Sequence, residues 1–240
     1  MGLQVGASIS ALDDRLLLWV NQFMTLWPVF DRSVAWLLTA SILKLAPFVL
    51  VICWFWFDRS PAQSHRRHLL VEAVFTGFLA LVVGRVLALT LPFRLRPLVR
   101  PDLGFVADLE TGARTWSAFP SDHAVVAFAL AASMLRLSPK VGAWMMLHAA
   151  VVICLPRFYF GLHHPSDLIG GALIGFGLVF VIAHLERRRA FTAAVIRVEQ
   201  RHAGAFYSAG FLLLFELAEM FDSLRALTRG VFRAVGKLMA

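Results

Sequence analysis

The sequence predicts an all-α fold: a polytopic membrane helical bundle of about six transmembrane helices, followed by an amphipathic C-terminal helix. Three observations point there. Of 240 residues, 59% are hydrophobic and only 16% charged, with a mean hydropathy of +0.73, which leaves too little polar surface to cover a soluble globule. Several apolar runs approach the roughly 20 residues needed to cross a bilayer, and short polar connections join them. The Lys and Arg residues behind the net charge of +8 cluster at the ends of those runs. That placement reads as membrane topology and excludes a nucleic-acid-binding stripe.

Residues 12–27 form a moderately apolar stretch whose charges, Asp13, Asp14 and Arg15, stand at its start, so it reads as an interfacial helix or the beginning of a first span. The same charges interrupt the place where a secretory signal would have its apolar region, and no cleavage is expected. Residues 34–57 are apolar apart from Lys44 and contain Pro47, which suits either one kinked span or a short helix and a second one. Residues 69–93 are a span with Arg85 in its last third; 124–135, opened by the polar segment 120–123, and 141–155 follow. A polar elbow, 156–167, leads into the last core span, 168–184. One membrane-embedded domain is expected over 1–189, with its motif-bearing core at about 70–185, and a basic helical tail over 190–240. In that tail, Arg225, Arg229, Arg233 and Lys237 recur among apolar residues at helical spacing, as in a helix lying on an anionic leaflet. Cys53 and Cys154 both lie in apolar runs and read as packing residues, not a disulfide or metal pair.

Orientation follows from the short loops. Arg59, Arg66 and Arg67, then Arg136 and Lys140, then Arg187, Arg188 and Arg189 occupy alternating connections, so all three sets belong to the cytoplasmic side. The connection 93–120 and the elbow 156–167 are then external. Yet this external connection holds Arg94, Arg96, Arg100 and Arg114, cations in a place the topology rule disfavours. A phosphate ligand accounts for them.

Three polar segments meet on that external side: Arg94-Leu95-Arg96-Pro97, Pro120-Ser121-Asp122-His123, and the stretch from Arg157 through His163 to Asp167. Phosphoryl transfer needs cations and N–H groups around the equatorial oxygens, with a nucleophile and a proton donor in line on opposite sides. Arg96 and Arg157 supply bidentate cations, Ser121 opens a helix N-terminus, and Asp167 four residues after His163 suits a carboxylate holding an imidazole on one helix face. His163 is therefore expected as nucleophile and His123 as general acid. His164 reads as a bystander. Lys44, Glu72 and His148 read as groups that hydrogen-bond inside the bundle or snorkel to its boundary, and Arg94 and Arg100 are each as well explained by solvation as by function.

These residues resemble the type 2 phosphatidic acid phosphatase superfamily, membrane lipid phosphatases related to vanadium haloperoxidases. That family's pattern is a Lys followed seven residues later by Arg-Pro, then Pro-Ser-Gly-His, then Ser-Arg, five residues, His, three residues and Asp. Arg157, His163 and Asp167 match the third motif with Pro156 in place of Ser; Pro120, Ser121 and His123 match the second with Asp122 in place of Gly; Arg96-Pro97 matches the first, but Leu89 stands at the Lys position. The resemblance implies a six-helix core, a phosphohistidine intermediate, and no metal or other cofactor. Arg94 is expected to supply the phosphate contact of the missing Lys, with Arg85 as the second choice. Asp122 is expected to turn away from the phosphate, cap the helix or pair with an Arg. The expected partner is a lipid phosphate in the inner membrane of a bacterium. Undecaprenyl pyrophosphate comes ahead of phosphatidylglycerol phosphate and phosphatidic acid, on family precedent for small proteins. A lipid phosphotransferase, or a non-catalytic lipid-phosphate binder or transporter, would carry much the same residues.

Overall fold

In a computed structural model, which describes residues 2–105 and 116–220, every regular element is helical. Helix α1 (Gly2–Asn21) is followed by α2 (Pro28–Thr39), a single turn α3 (Ser41–Lys44) and α4 (Ala46–Phe57). The stretch 34–57 is thus divided among separate helices instead of forming one kinked span. Pro28 and Pro47 each sit in the first turn of their helix, where the missing N–H would have had no intrahelical partner.

Helix α5 (Gln63–Thr90) comes next. Pro92 drives the preceding Leu91 into an extended conformation, and the helix stops there. Two short 3-10 turns, Pro97–Val99 and Pro101–Leu103, carry the chain over the end of the bundle. Beyond 115 come α6 (Asp122–Leu137), then α7 (Pro139–His148), a π-helical segment (Ala149–Cys154) and α8 (Leu155–Tyr159) in one continuous rod, then α9 (Pro165–His184), α10 (Arg188–Arg201) and α11 (Ala203–Ala218). The elbow expected to open at Pro156 begins later, because the helix continues to Tyr159. A proline inside a helix lacks one donor and crowds the preceding turn, and the wider π-helical turn just before Pro156 gives its ring room. The amphipathic segment 224–239 lies outside the described residues.

Among the described residues, three helical stretches are long and apolar enough to cross a membrane: Gln63–Thr90, Pro139–Tyr159 and Pro165–His184. They surround α6, whose Ala124, Val125, Val126, Ala127, Ala129, Leu130 and Ala131 are entirely inaccessible. Large apolar side chains on the outer faces, such as Val82, Leu173 and Phe180, are exposed where hydrocarbon replaces water as the surrounding medium. Between helices in lipid, association depends on close packing and not on the hydrophobic effect. Glycines make it possible here: a Cβ on Gly175 of α9 would fall 2.6 Å from the Val125 carbonyl oxygen and 2.8 Å from the Ala129 nitrogen of α6. A Cβ on Gly171, one turn nearer the site, would meet the Ser121 carbonyl oxygen at 2.8 Å.

The two ends of the bundle differ chemically. At one end the buried Glu72 of α5 receives Arg136 of α6 at 2.8 Å and Arg188 of α10 at 2.9 Å, the buried bonding expected for Glu72. All three polar motif segments sit at the other end. His148, also expected to be bonded, has Nε2 3.0 Å from the Lys44 carbonyl oxygen.

Because backbone, not a flexible side chain, faces Gly175, Gly175→Val is expected to cost roughly 1–3 kcal/mol of stability. In detergent its melting temperature should fall by several degrees, while Gly177→Val, where an added Cβ meets nothing within 4 Å, leaves it within about a degree. Equal shifts would contradict the packing described.

Candidate active site

Four segments converge at the motif-bearing end: the chain after α5, the turn entering α6, the end of α8 with the loop to α9, and α1. Asp167, in the first turn of α9 and wholly inaccessible, is where they meet. Its Oδ2 accepts the His164 backbone N–H at 2.8 Å and lies 3.0 Å from His164 Nδ1, the reciprocal capping arrangement of this helix start. Its Oδ1 accepts Arg94 Nη1 at 2.5 Å, and its carbonyl oxygen accepts the Ser121 N–H at 3.3 Å. Arg94 also donates to Ser166 Oγ at 2.7 Å and, through Nη2, to Asp13 Oδ2 at 2.7 Å. Asp13, 3% exposed, in turn accepts the Ser166 N–H at 3.0 Å and its hydroxyl at 2.5 Å.

His163 lies just before α9, since Pro165 begins the helix; the one-face helical geometry expected for His163 and Asp167 is therefore absent. Its Nδ1 donates to the Ala118 carbonyl oxygen at 2.8 Å, and Asp167 Oδ2 is 3.9 Å away. A carbonyl oxygen only accepts, so Nδ1 carries the hydrogen and Nε2 keeps its lone pair. Burial, with the charge of Arg96 next in effect, pushes the His163 imidazole down to about 3, so the ring is neutral at ordinary pH. A neutral ring with Nε2 unprotonated is the form a histidine nucleophile requires.

Around His163 the charges of Arg96, Asp167, Asp122 and Arg157 are all close enough to act on it. Arg157 is 4% exposed, and its Nη1 donates to the carbonyl of Ile153, inside the π-helical turn, at 2.6 Å. Burial lowers the pKa of the Arg96 guanidinium, opposed first by Asp122. Two buried polar atoms here have no protein partner, Arg96 Nε and Ser121 Oγ. Buried donors are rarely left unpaired, so a guest bearing acceptor oxygens would complete both. His123 faces a different carboxylate: its Nδ1 lies 2.9 Å from Asp122 Oδ1, and Asp122 Oδ2 pairs with Arg85 at 2.7 Å. Among the described residues no three His, Cys, Asp or Glu side chains are grouped as metal ligands.

The structure thus brings His163, His123, Asp167, Arg96, Arg157 and Ser121 to one end of the bundle. Arg94, expected on the phosphate, instead has its guanidinium on Asp13, Ser166 and Asp167, because two carboxylates bind it directly. Leu89, at the family's Lys position, is 70% exposed on α5. Arg100 is tied to Asp14 at 2.7 Å and Asp102 at 2.6 Å. Arg114 lies outside the described residues. His164 is the cap of α9, not a bystander. Sequence reading missed Asp13 and Ser166. The signal for Asp13 was present: a charged pair interrupts an otherwise apolar stretch.

The chain is similar to several known proteins. The chain is 26% identical to undecaprenyl-diphosphatase BcrC of Bacillus subtilis, over 71% of this chain and 82% of that one. It is 29% identical to an undecaprenyl-diphosphatase of Sulfolobus acidocaldarius, over 75% and 76%. A crystal structure of a transmembrane PAP2 type phosphatidylglycerolphosphate phosphatase from Bacillus subtilis aligns with a TM-score of 0.49 at 17% identity, covering 78% of this chain and 87% of that one. The family model of the PAP2 superfamily matches residues 34–191, which include every one of the three motif segments, and the chain belongs to the PAP2 superfamily.

Proposed function

We propose that this protein hydrolyses a lipid phosphate, undecaprenyl diphosphate foremost, through a phosphohistidine on His163 and without a metal. The site faces the external side of a bacterial cytoplasmic membrane. The observation that carries the reading is the state of His163: buried and neutral, with Nδ1 held by a carbonyl and Nε2 left to attack, beside Arg96 and Arg157 and the unpartnered Arg96 Nε and Ser121 Oγ. Kinship supports the lipid class, since both relatives named above are undecaprenyl-diphosphatases. The alternation of Arg66 and Arg67, Arg136, and Arg188 at the opposite end supports the external placement.

In the first step His163 Nε2 attacks phosphorus, forming the N–P bond. The P–O bond to the lipid breaks with its electron pair staying on oxygen, which takes the proton from His123 Nε2. Arg96 and Arg157, with the Ser121 hydroxyl, stabilise the charge on the equatorial oxygens. In the second step His123 accepts a proton from water as its oxygen attacks phosphorus. The N–P bond breaks, inorganic phosphate leaves, and His163 Nε2 recovers its lone pair. Asp167 stays ionised throughout: it holds the loop through His164 and acts on His163 by its charge. Arg94 keeps Asp167 in place and does not touch phosphate in this scheme.

The experiment is release of inorganic phosphate from undecaprenyl diphosphate by purified protein in excess EDTA. Wild-type release is expected to survive EDTA, and His163→Ala to lose at least about 10³-fold in kcat while melting normally. Activity retained by His163→Ala would remove the assigned nucleophile; loss in EDTA restored by a divalent cation would remove metal independence. A second expectation concerns α1. Asp13→Ala leaves Arg94 and Ser166 without their buried carboxylate, and kcat is expected to fall about tenfold or more. Asp14→Ala is expected to change kcat less than about twofold, because Arg100 retains Asp102. Equal effects in a kcat assay would contradict the role given to Asp13.

A further inference from the structure

We propose that Asp122 and Arg85 together set the protonation of His123: Asp122 orients the ring and holds its second proton, and Arg85 limits how firmly it is held. Asp122 is the first residue of α6, and its Oδ1 accepts both the His123 backbone N–H at 2.8 Å and the His123 Nδ1–H at 2.9 Å. With Nδ1 engaged, Nε2 is the nitrogen that gives and takes a proton. The other oxygen, Oδ2, receives Arg85 Nη2 at 2.7 Å, and the same guanidinium lies over the Trp116 ring at 5.0 Å. Close approach of the helices permits this contact: a Cβ on Gly84, beside Arg85, would stand 3.6 Å from the Asp122 Cα.

A carboxylate on Nδ1 fixes the ring and stabilises its imidazolium form. A guanidinium on the same carboxylate draws off part of that stabilisation. The charges acting on His123 come from several elements: Asp122 on its own helix, Arg157 from α8 and Lys44 from α3, while Arg85 from α5 and His163 from the loop before α9 act on Asp122. Burial first, then Arg157 and Lys44, oppose the imidazolium and together lower the His123 pKa to about 4, while the charge and hydrogen bond of Asp122 favour the protonated form. Asp122 and Arg85 are thus a matched pair: Asp122 occupies the Gly position of the resembled motif, and Arg85 stands one helical turn before the position where Leu89 replaces a Lys. In this arrangement Asp122 is a positioning residue that acts through His123, consistent with a carboxylate tolerated close to a phosphate site.

The role in leaving-group protonation rests on the hydrolase reading, whereas the control of His123 does not, and the two are tested apart. The first arm follows the titration of His123 by 15N NMR of histidine-labelled full-length protein in detergent micelles, assigned with His123→Gln. Relative to wild type, Asp122→Asn is expected to lower the His123 midpoint by at least about one pH unit, and Arg85→Met to raise it. A merely structural pair would move neither midpoint, or both in one direction, and either result overturns the inference. Should Asp122→Asn fail to fold, Arg85→Met decides by the sign of its shift. The second arm is turnover of undecaprenyl diphosphate: Asp122→Asn is expected to lose tenfold or more in kcat with KM within about threefold, and its alkaline limb should move to lower pH. Asp122→Glu is expected to recover part of the loss. Opposite midpoint shifts with no phosphate release by wild type would uphold the pair and sink the hydrolase reading. Turnover with unshifted midpoints would do the reverse.

Discussion

The buried carboxylate of Asp167 is the constraint on which the rest of the site depends. A charge wholly removed from solvent persists only when charged partners and hydrogen bonds replace its water; here Arg94 and His164 bond the carboxylate, and further bonds of Asp167 and of Arg94 draw in two more parts of the chain. Arg94 reaches it from the segment after α5, His164 from the loop before α9, and the Ser121 N–H meets its carbonyl at the entrance to α6. Asp13 joins through Arg94 and Ser166. The carboxylate and backbone carbonyl of this one residue therefore tie together the elements that carry His163, Arg96 and Ser121. The close contact of Gly171 with the Ser121 carbonyl fixes the same junction from the side of helix packing.

The N-terminal helix takes on a meaning here that kinship alone would not suggest. The family match begins at residue 34, yet Asp13 is among the most deeply buried charged groups of the protein and bonds two residues at the site end. Asp14 fastens the same helix to Arg100. On the other side of α1, Leu12, Leu16 and Trp19 are exposed, an apolar face suited to the hydrocarbon boundary. The helix is thus polar toward the site and apolar on its opposite face.

Much of this was legible in the sequence, for identifiable reasons. Helix positions follow from apolar runs and prolines, so α5, α6 and α9 were recoverable, and the motif spacings singled out His163, His123, Arg96 and Arg157. Interactions between residues far apart in sequence were not recoverable. Nothing local says that Arg94 answers Asp13, 81 positions away, or that Arg85 rather than Arg94 meets Asp122. The His163–Asp167 spacing of four suggested a helix face, but Pro165 starts the helix inside that interval, and the Ala118 carbonyl takes the place given to the carboxylate. The continuation of helix past Pro156 depends on a π-helical turn, which composition does not reveal.

The departures at Leu89 and Asp122 now read together. Taken singly, loss of a cation and gain of an anion beside a phosphate site look like decay. In the structure the gained anion is neutralised by Arg85 on the same helix as Leu89 and is bonded to the proposed acid, so it adds no net charge to the site, and Arg96 and Arg157 remain as the cations beside His163. The central claim is covalent chemistry at His163, and the most direct measurement is to quench the protein during turnover of undecaprenyl diphosphate and map any phosphoryl group by mass spectrometry. A base-stable, acid-labile phosphoramidate on His163, absent from His163→Ala, is the predicted result; phosphate release with no modified histidine, or with the modification on His123, would contradict the account.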